Sequence, residues 1–241
     1  MCAQFLTQSV EDYLKAIYRI SLGGRSASTS EIAESLDLAP PSVSGMIKRL
    51  SEQGLLEHVP YRGVVLTVEG RRAALRMVRR HRLIETYLVE RLDYTWDEVH
   101  DEAERLEHAV SDRMVERMAQ ALGHPRFDPH GDPIPDHDGS VEELIYTPLS
   151  DVPVGEVVEV RRIDTAEPER LRYIGDVGLV PGAEVTVASR EPFNGPMTIR
   201  CGEASRIIGP EIGALVLCTR PNASSSPRGD RHATDPRRNM R

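Results

Sequence analysis

The chain has 241 residues, which suits two or three small domains, each able to bury its own core. No run approaches the roughly 18 apolar residues of a membrane-spanning helix, and the N-terminus lacks the basic-then-apolar order of a secretory signal, so a cytoplasmic protein without a membrane partner is predicted. Thirty basic against 38 acidic side chains give −8, but residues 1–91 carry 13 and 10, a net +3, while residues 92–150 carry 4 and 15, a net −11.

A front portion able to approach phosphate is therefore joined to an acidic middle that attracts cations. Cys2, Cys201 and Cys218 are widely spaced and share no C-x-x-C pairing. That excludes a disulfide framework or zinc knuckle, and the three read as small buried hydrophobes.

In residues 9–20, Val10, Leu14 and Ile17 recur at helical spacing, with Tyr13 and Tyr18 flanking them. Asp12 falls on the opposite face, free to meet another element or to remain a solvated surface acid. Ser28-Thr29-Ser30-Glu31 is a capping box that opens a short helix with Ile32, Ala33 and Leu36 inward. A turn over Asp37–Pro41 leads into a helix that ends near Gln53. Val43, Ile47 and Leu50 form its inner stripe; small, polar and basic residues face out.

A tight pair of helices whose second member exposes small polar groups can enter a major groove closely. Residues 55–67 then read as a hairpin with Arg62 at its tip, placed for phosphate or a narrow minor groove. The order of these pieces favours a winged helix-turn-helix over an unrelated small α+β domain. Its candidate DNA-facing residues are Thr29, Ser30, Ala39, Pro41, Ser42, Ser44, Gly45, Lys48, Arg49 and Arg62.

A long helix is predicted from Val68 to about Leu92, and a second extended one from Trp96 to about Leu122. Residues 126–139, rich in Pro, Asp, Gly and His, read as a loop. From Leu149 the pattern becomes one of strands, at Glu156–Arg162, Glu184–Ala188, Met197–Cys201 and Ala214–Cys218, in a small β-barrel-like domain. Residues 221–241 read as a disordered tail. The expected fold class is α+β: a winged helix-turn-helix over 1–76, a helical dimerisation and metal-binding domain over 77–146, and a small SH3-like β-barrel over 147–220.

The most informative stretch is His100-Asp101-Glu102-Ala103-Glu104-Arg105-Leu106-Glu107-His108. On a helix, His100, Glu104, Glu107 and His108 share one stripe, and His81 and Glu85 repeat the i, i+4 relation on the preceding helix. A solvated face with i, i+4 ion pairs is the bland alternative, but only Arg105 interrupts the acids between Asp101 and Glu107. Crowded carboxylates repel unless a cation neutralises them, so metal binding is favoured. Neither a di-iron Glu-x-x-His pair nor a His-Glu-x-x-His hydrolase motif occurs in these segments.

With these residues in view, residues 8–220 resemble the diphtheria toxin repressor family, most closely its manganese-responsive mycobacterial-type branch. The matching strings are Glu11-Asp12-Tyr13-Leu14-Lys15, the turn Ala39-Pro40-Pro41-Ser42-Val43-Ser44, Gly70-Arg71-Arg72, Arg79-Arg80-His81-Arg82-Leu83 and Val99–His108. The resemblance implies one metal site from Asp12, Glu104, Glu107 and His108. It implies a second from His81, Glu85 and His100, helped by an acid of the C-terminal domain, Glu167 first, with Asp164 and Glu169 as rivals.

Iron-responsive relatives carry Met and Cys where this chain has Asp12 and Glu104, and two carboxylates make a harder site that favours Mn(II), with Fe(II) as the alternative. Short binuclear manganese regulators carry Glu at the position of Lys15, so their two-metal arrangement is not expected. Gly45 stands where relatives carry a base-contacting Gln, which shifts recognition toward DNA shape and phosphate.

The function so implied is a non-enzymatic, homodimeric, Mn(II)-activated repressor of metal-ion homeostasis that binds palindromic operator DNA and has no small-molecule substrate. A winged-helix sensor of a small organic ligand and a metal-dependent hydrolase are the rival readings. Manganese uptake separates the first rival, and ester or phosphoester turnover the second.

Overall fold

The structure, a computed structural model, describes residues 7–142 and 144–220. They fall into two compact units: one reaches to Ile145 and takes in Thr165–Tyr173, and the other comprises Tyr146–Asp164 and continues from Ile174. The boundary expected at residue 76 lies inside an unbroken helix, so the DNA-binding and metal-binding portions share an element. The expected tail at 221–241 and Cys2 lie outside the described residues.

The first unit opens with α1 (Gln8–Ile20), which buries Val10, Tyr13, Leu14, Ile17 and Tyr18 at helical spacing. α2 (Thr29–Leu36) starts at the capping box: Ser28 Oγ accepts from the Glu31 amide, and the Ser28 amide donates to Glu31 Oε2. It ends at Asp37 in the left-handed region, φ 52°. α3 (Pro40–Glu52) begins on Pro40-Pro41, where a missing N–H costs nothing. The hairpin β1 (Leu56–Val59) and β2 (Gly63–Leu66) follows with Leu56 opposite Leu66, and an added bridge joins Ala27 to Val64. Leu14, Ile17, Ile32, Val43, Leu50, Leu56, Val64 and Ala74 form one core, which fastens the winged helix to the next helix.

That helix, α4 (Val68–Leu92), is capped by Thr67, whose Oγ1 accepts from the Gly70 amide and donates to the Gly54 carbonyl. Its second half separates two cores. Ile84 and Leu88 pack with Val99, Ala103 and Met118, whereas Leu83 packs with Val115, Ala119 and Ile134.

The single helix expected from Trp96 to Leu122 is instead two, α5 (Val99–Leu106) and α6 (Asp112–Ala121). The break follows from Ser111, whose hydroxyl accepts from the Met114 amide and so starts a new helix. Residues 126–139 are irregular apart from one bridge between Phe127 and Pro133, and Arg172 in the returning segment pairs with buried Asp97 at 3.0 Å.

The second unit holds an antiparallel six-stranded sheet in the order β3-β8-β4-β5-β6-β7. The strands are β3 (Thr147–Pro148), β4 (Val157–Ile163), β5 (Glu184–Arg190), β6 (Met197–Cys201), β7 (Ala204–Ile208) and β8 (Val216–Thr219). Val158, Val160, Val185, Val187, Met197 and Ile199 alternate inward. The strand expected at Ala214–Cys218 begins as a short helix, α8 (Pro210–Leu215), which Pro210 opens and β8 extends. α7 (Pro168–Asp176), β3 and β7 were not anticipated; β7 carries exposed Arg206 and Ile207, which obscure its alternation. Cys218 is buried, and burial pushes its thiol up to about 12, whereas Cys201 is half-buried.

Gly70 is required by close approach: a Cβ there would lie 2.0 Å from the Leu55 carbonyl oxygen. Alanine is the better helix former by about 1 kcal/mol, yet Gly70→Ala is expected to destabilise by about 1–3 kcal/mol because backbone must move. Urea unfolding at constant m-value measures it, and a stabilised variant would contradict the packing described.

Candidate metal centre

The acidic middle of the sequence folds inward. Asp12 and Lys15 lie one turn apart on α1, His81 and Glu85 one turn apart on α4, and His100 and Glu104 one turn apart on α5, with Glu107 and His108 just past its end. α1 and α5 both pack on α4, so three helices contribute to one polar seam. His81 and Glu85 are buried, and Glu107 is 0% exposed. Burial of so many ionisable groups requires each to be paired.

Two ligand groups form. In the first, Asp12 Oδ1 lies 2.9 Å from His108 Nε2, and Glu107 Oε1 lies 3.5 Å from the same nitrogen. The other ring nitrogen, Nδ1, is 3.1 Å from Glu11 Oε2. A carboxylate only accepts, so Glu11 orients the ring by taking the Nδ1 proton and aims Nε2 at Asp12 and Glu107.

In the second group, His81 Nε2, His100 Nδ1 and Glu85 Oε1 stand 2.9, 3.0 and 3.1 Å from one another. The three atoms are near enough to one another that a divalent ion would be held by all of them together. Glu104 Oε1 is 3.7 Å from His100 Nε2, so Glu104 sides with the histidine group.

Glu167 is exposed and pairs with Arg170 at 2.7 Å, Asp164 pairs with Arg162 at 2.9 Å, and Glu169 is exposed. The loop over residues 126–139, read as a connection, brings two further candidate donors to Glu85. Glu85 Oε2 faces His130 Nδ1 at 4.0 Å, and buried Asp128 completes a third cluster with these two.

His130 Nε2 lies 2.8 Å from the Trp96 carbonyl oxygen, which can only accept, so Nε2 carries a proton and Nδ1 is the ring atom that faces Glu85. Asp128 is held by the backbone amides of His130 and Asp132. The only trace of this cluster in the sequence is the spacing Asp128-Pro129-His130, which lacks helical periodicity and was passed over as a turn.

The cation present in the structure is Lys15. Its Nζ donates to Glu104 Oε1 at 2.7 Å and to both oxygens of Glu107 at 2.8 Å, and lies 3.3 Å from His81 Nδ1. Burial alone would push the Glu107 carboxyl up, but the His81 hydrogen bond at 2.6 Å and the Lys15 charge overcome it and hold it down to about 2. Burial likewise opposes the charged His81, and Glu85 and Glu107 outweigh it, so His81 is raised. Burial raises Asp12 despite the pull of His108. It also raises Asp128 strongly, reinforced by Asp132 and Glu85.

The candidate DNA-facing residues lie at the surface of the winged helix. Ser30, Ala39, Pro41, Ser42, Ser44, Gly45, Lys48, Arg49 and Arg62 are exposed, and Thr29 is half-buried in the α2 start. A Cβ at Gly45 would meet nothing within 4 Å, which leaves that part of the α3 surface open. Tyr61, beside Arg62 at the hairpin tip, is fully exposed with φ 62°, a conformation rare for a bulky residue.

Comparison with known proteins agrees with this layout. Residues 5–64 match the N-terminal DNA binding domain of iron dependent repressors, residues 67–136 their metal binding and dimerisation domain, and residues 147–220 the FeoA domain. The iron-dependent repressor IdeR of Mycobacterium leprae is 34% identical over 201 residues, 78% of this chain and 87% of the relative.

The chain belongs to the iron-dependent repressor family. The diphtheria toxin repressor of Corynebacterium glutamicum is 31% identical over 77% of this chain and 86% of its own length. Among solved structures, a manganese-dependent transcriptional repressor in complex with manganese is 41% identical with a TM-score of 0.81, covering 88% of this chain and 100% of its own. Members with this three-part layout combine a DNA-binding domain, a helical metal-binding domain and a FeoA domain. Among the described residues no helix is long and apolar enough to cross a membrane.

In the metal-free protein, Glu107 binds its proton more weakly when folded than its ordinary value of 4.5, so its contribution is present above that value and lost as pH falls toward 2. Unfolding free energy is expected to drop over that window by on the order of 3 kcal/mol from this group. Glu107→Gln should flatten the slope between pH 4.5 and 2; an unchanged slope by chemical denaturation would contradict the pairing.

Proposed function

We propose that this protein is a homodimeric, manganese-activated transcriptional repressor that binds palindromic operator DNA and serves metal-ion homeostasis. The observation that carries the reading is the convergence of Asp12, from the helix that anchors the winged helix, with Glu107 and His108 from the end of α5. Donors from opposite sides of a seam allow a bound divalent ion to link them. The ion supplies positive charge that two carboxylates and an imidazole share.

Asp12, Glu107 and His108 are the ligands proposed for one position, and His81, Glu85 and His100 for a second, with Glu104, which the resemblance implies for the first, standing beside His100. Glu167 is the further ligand that the resemblance implies for the second position, and Asp128 and His130 are additional candidates beside Glu85. Oxygen and imidazole donors without a thiol or thioether favour Mn(II), because selectivity here must come from ligand type when intrinsic affinity runs toward later metals. Iron-dependent relatives keep Fe(II) as the second reading, and one titration decides between them.

The chain's own residues set the response. Glu11 keeps the His108 ring turned toward Asp12, and α4 joins the winged helix to the histidine pair as one element. With α1 held, the two α3 helices of a dimer would be kept at a fixed separation, about 34 Å for successive major grooves. A ligand at 100 times its dissociation constant contributes about 2.7 kcal/mol per site, enough to shift such an equilibrium.

Operator DNA selected from a random pool in Mn(II) provides the probe. Mobility shifts with Mn(II), Fe(II), Co(II) and Zn(II) are expected to show binding at the lowest concentrations with Mn(II), and His108→Ala should weaken metal-dependent binding at least tenfold. Equal binding by His108→Ala in saturating manganese would sink the reading.

Lys48, exposed on α3, is expected to contact phosphate. Lys48→Ala should weaken binding of all sequences alike and reduce the salt-dependence slope by about 1. A sequence-selective loss would instead assign it to base reading.

A further inference from the structure

The hairpin of the winged helix ends in the turn Val59-Pro60-Tyr61-Arg62, closed by the Arg62 amide donating to the Val59 carbonyl at 3.0 Å. Proline fixes φ near about −65°, so of the two central residues only Tyr61, at φ 62°, is left-handed. A turn of that kind ordinarily takes Gly or Asn in its third place, where a larger side chain is strained. This chain sets a tyrosine there, and its ring is fully exposed. A residue strained in the fold and idle in its packing points to something outside the fold.

The backbone that carries the ring is fixed. The Ser26 hydroxyl donates to the Arg62 carbonyl at 2.9 Å, and Ala27 and Val64 exchange backbone hydrogen bonds of 2.8 and 2.9 Å. Gly63 lies so close to this segment that a Cβ on it would stand 2.0 Å from the Ala27 carbonyl oxygen. The residues before α2 thus brace the wing on the positions that follow Tyr61. An aromatic side chain on a braced tip has little freedom left to lose on binding.

We propose that Tyr61 is a DNA-contacting residue: its ring packs on the deoxyribose wall of the minor groove beside the major groove that α3 enters, and so reads the width of that groove. This rests on the DNA-binding reading given above and adds a contact made without charge. DNA is the occupant because the hairpin belongs to the DNA-binding domain and because of the chemistry at its tip. No acid lies between His58 and Gly63, and Arg62, also exposed, places a guanidinium beside the ring. A minor groove offers the matching pair, apolar sugar faces edged by phosphates. A ring on an immobile tip fits a groove of one width, which is selection by DNA shape.

The test uses the full chain saturated with Mn(II), an operator duplex selected from a random pool, and Tyr61→Asn, which suits a left-handed φ and removes the ring. Tyr61→Asn is expected to melt at or above the parent's temperature and to bind operator about tenfold more weakly, a loss within the range for removing an aromatic contact to nucleic acid. A neutral side chain displaces no counterion, so the slope of log affinity against log salt should be unchanged, whereas Arg62→Ala should make it shallower. Hydroxyl-radical cleavage, which reports deoxyribose exposure, should find minor-groove sugars protected by the parent and uncovered in Tyr61→Asn. Tyr61→Phe, which keeps the ring, should match the parent throughout.

Parent-like affinity or an unchanged sugar footprint in Tyr61→Asn overturns the proposal. An equal loss in Tyr61→Phe also overturns it, by assigning the hydroxyl in place of the ring. Unchanged DNA binding with altered sedimentation would assign the ring to a contact between copies of the chain and overturn it as well. If the parent itself selects no operator in Mn(II), the repressor reading falls and takes this inference with it; a parent that binds, and a Tyr61→Asn that binds equally, removes the inference alone.

Discussion

A carboxylate with no solvent contact has to be neutralised where it stands, and in this protein that constraint falls on Glu107. It sits at the end of α5, wholly buried, between the Lys15 ammonium of α1 and the His81 ring of α4. Removing either partner would leave a buried charge unmatched, a change that strongly destabilises proteins in general. The three helices are consequently arranged around a point of charge as well as around an apolar core, and the apolar packing on either side, by Leu14 and Ile17 below and by Ile84 and Ala103 above, holds that point out of water. What differs from an ordinary ion-pair network is the surplus of donors beside it: Asp12, Glu85, His100 and His108 all face the seam, more than one ammonium can serve.

α4 turns this local chemistry into something the DNA-binding face can register. Its first turn presses Gly70 against the Leu55 carbonyl beside the hairpin, and its middle carries His81 and Glu85, eleven and fifteen residues further on. At 1.5 Å per residue those points lie about 17–22 Å apart along one rigid rod. α1 shares the core of the winged helix and also presents Asp12 and Lys15. A change in how α1 meets α5 is thereby a change in how the winged helix meets the helices that follow it, without a separate transmitting element.

Much of this was legible in the residues and some was not, for reasons that are physical. Helix starts set by local hydrogen bonds, such as the Ser28–Glu31 box and the Pro40-Pro41 entry, depend on neighbours in sequence and were read correctly, as was the full span of α4. The break between α5 and α6 was missed because the apolar spacing continues across it, and only the Ser111 hydroxyl interrupts the backbone. His81 with Glu85, and His100, Glu104, Glu107 and His108, are legible as helical faces from i, i+3 and i, i+4 spacing, whereas the place of Asp12 beside them comes from the family resemblance. Asp128 and His130 lie on irregular backbone, where spacing carries no direction, and Glu167, expected from the resemblance by counting along the chain, pairs with Arg170 at 2.7 Å. The internal cation was also overlooked, since crowded acids were taken to need an external ion, and a lysine three residues after Asp12 gives no sign from sequence of reaching across to another helix.

Glu85 shows how the clusters are tied into one system. Its Oε1 stands about 3 Å from both His81 and His100, and its Oε2 faces His130 on the loop. One carboxylate thus belongs to two neighbourhoods, and its charge is shared between them. Whatever draws Glu85 toward the α4–α5 pair weakens its attraction for the loop, and the reverse holds equally. The His130 ring is itself anchored by its contact with the Trp96 carbonyl and by stacking on the Trp96 indole, directly before α5. The loop and the segment that leads into α5 are therefore tied through one histidine to the same carboxylate, on the helix pair whose other end carries Glu107 and His108.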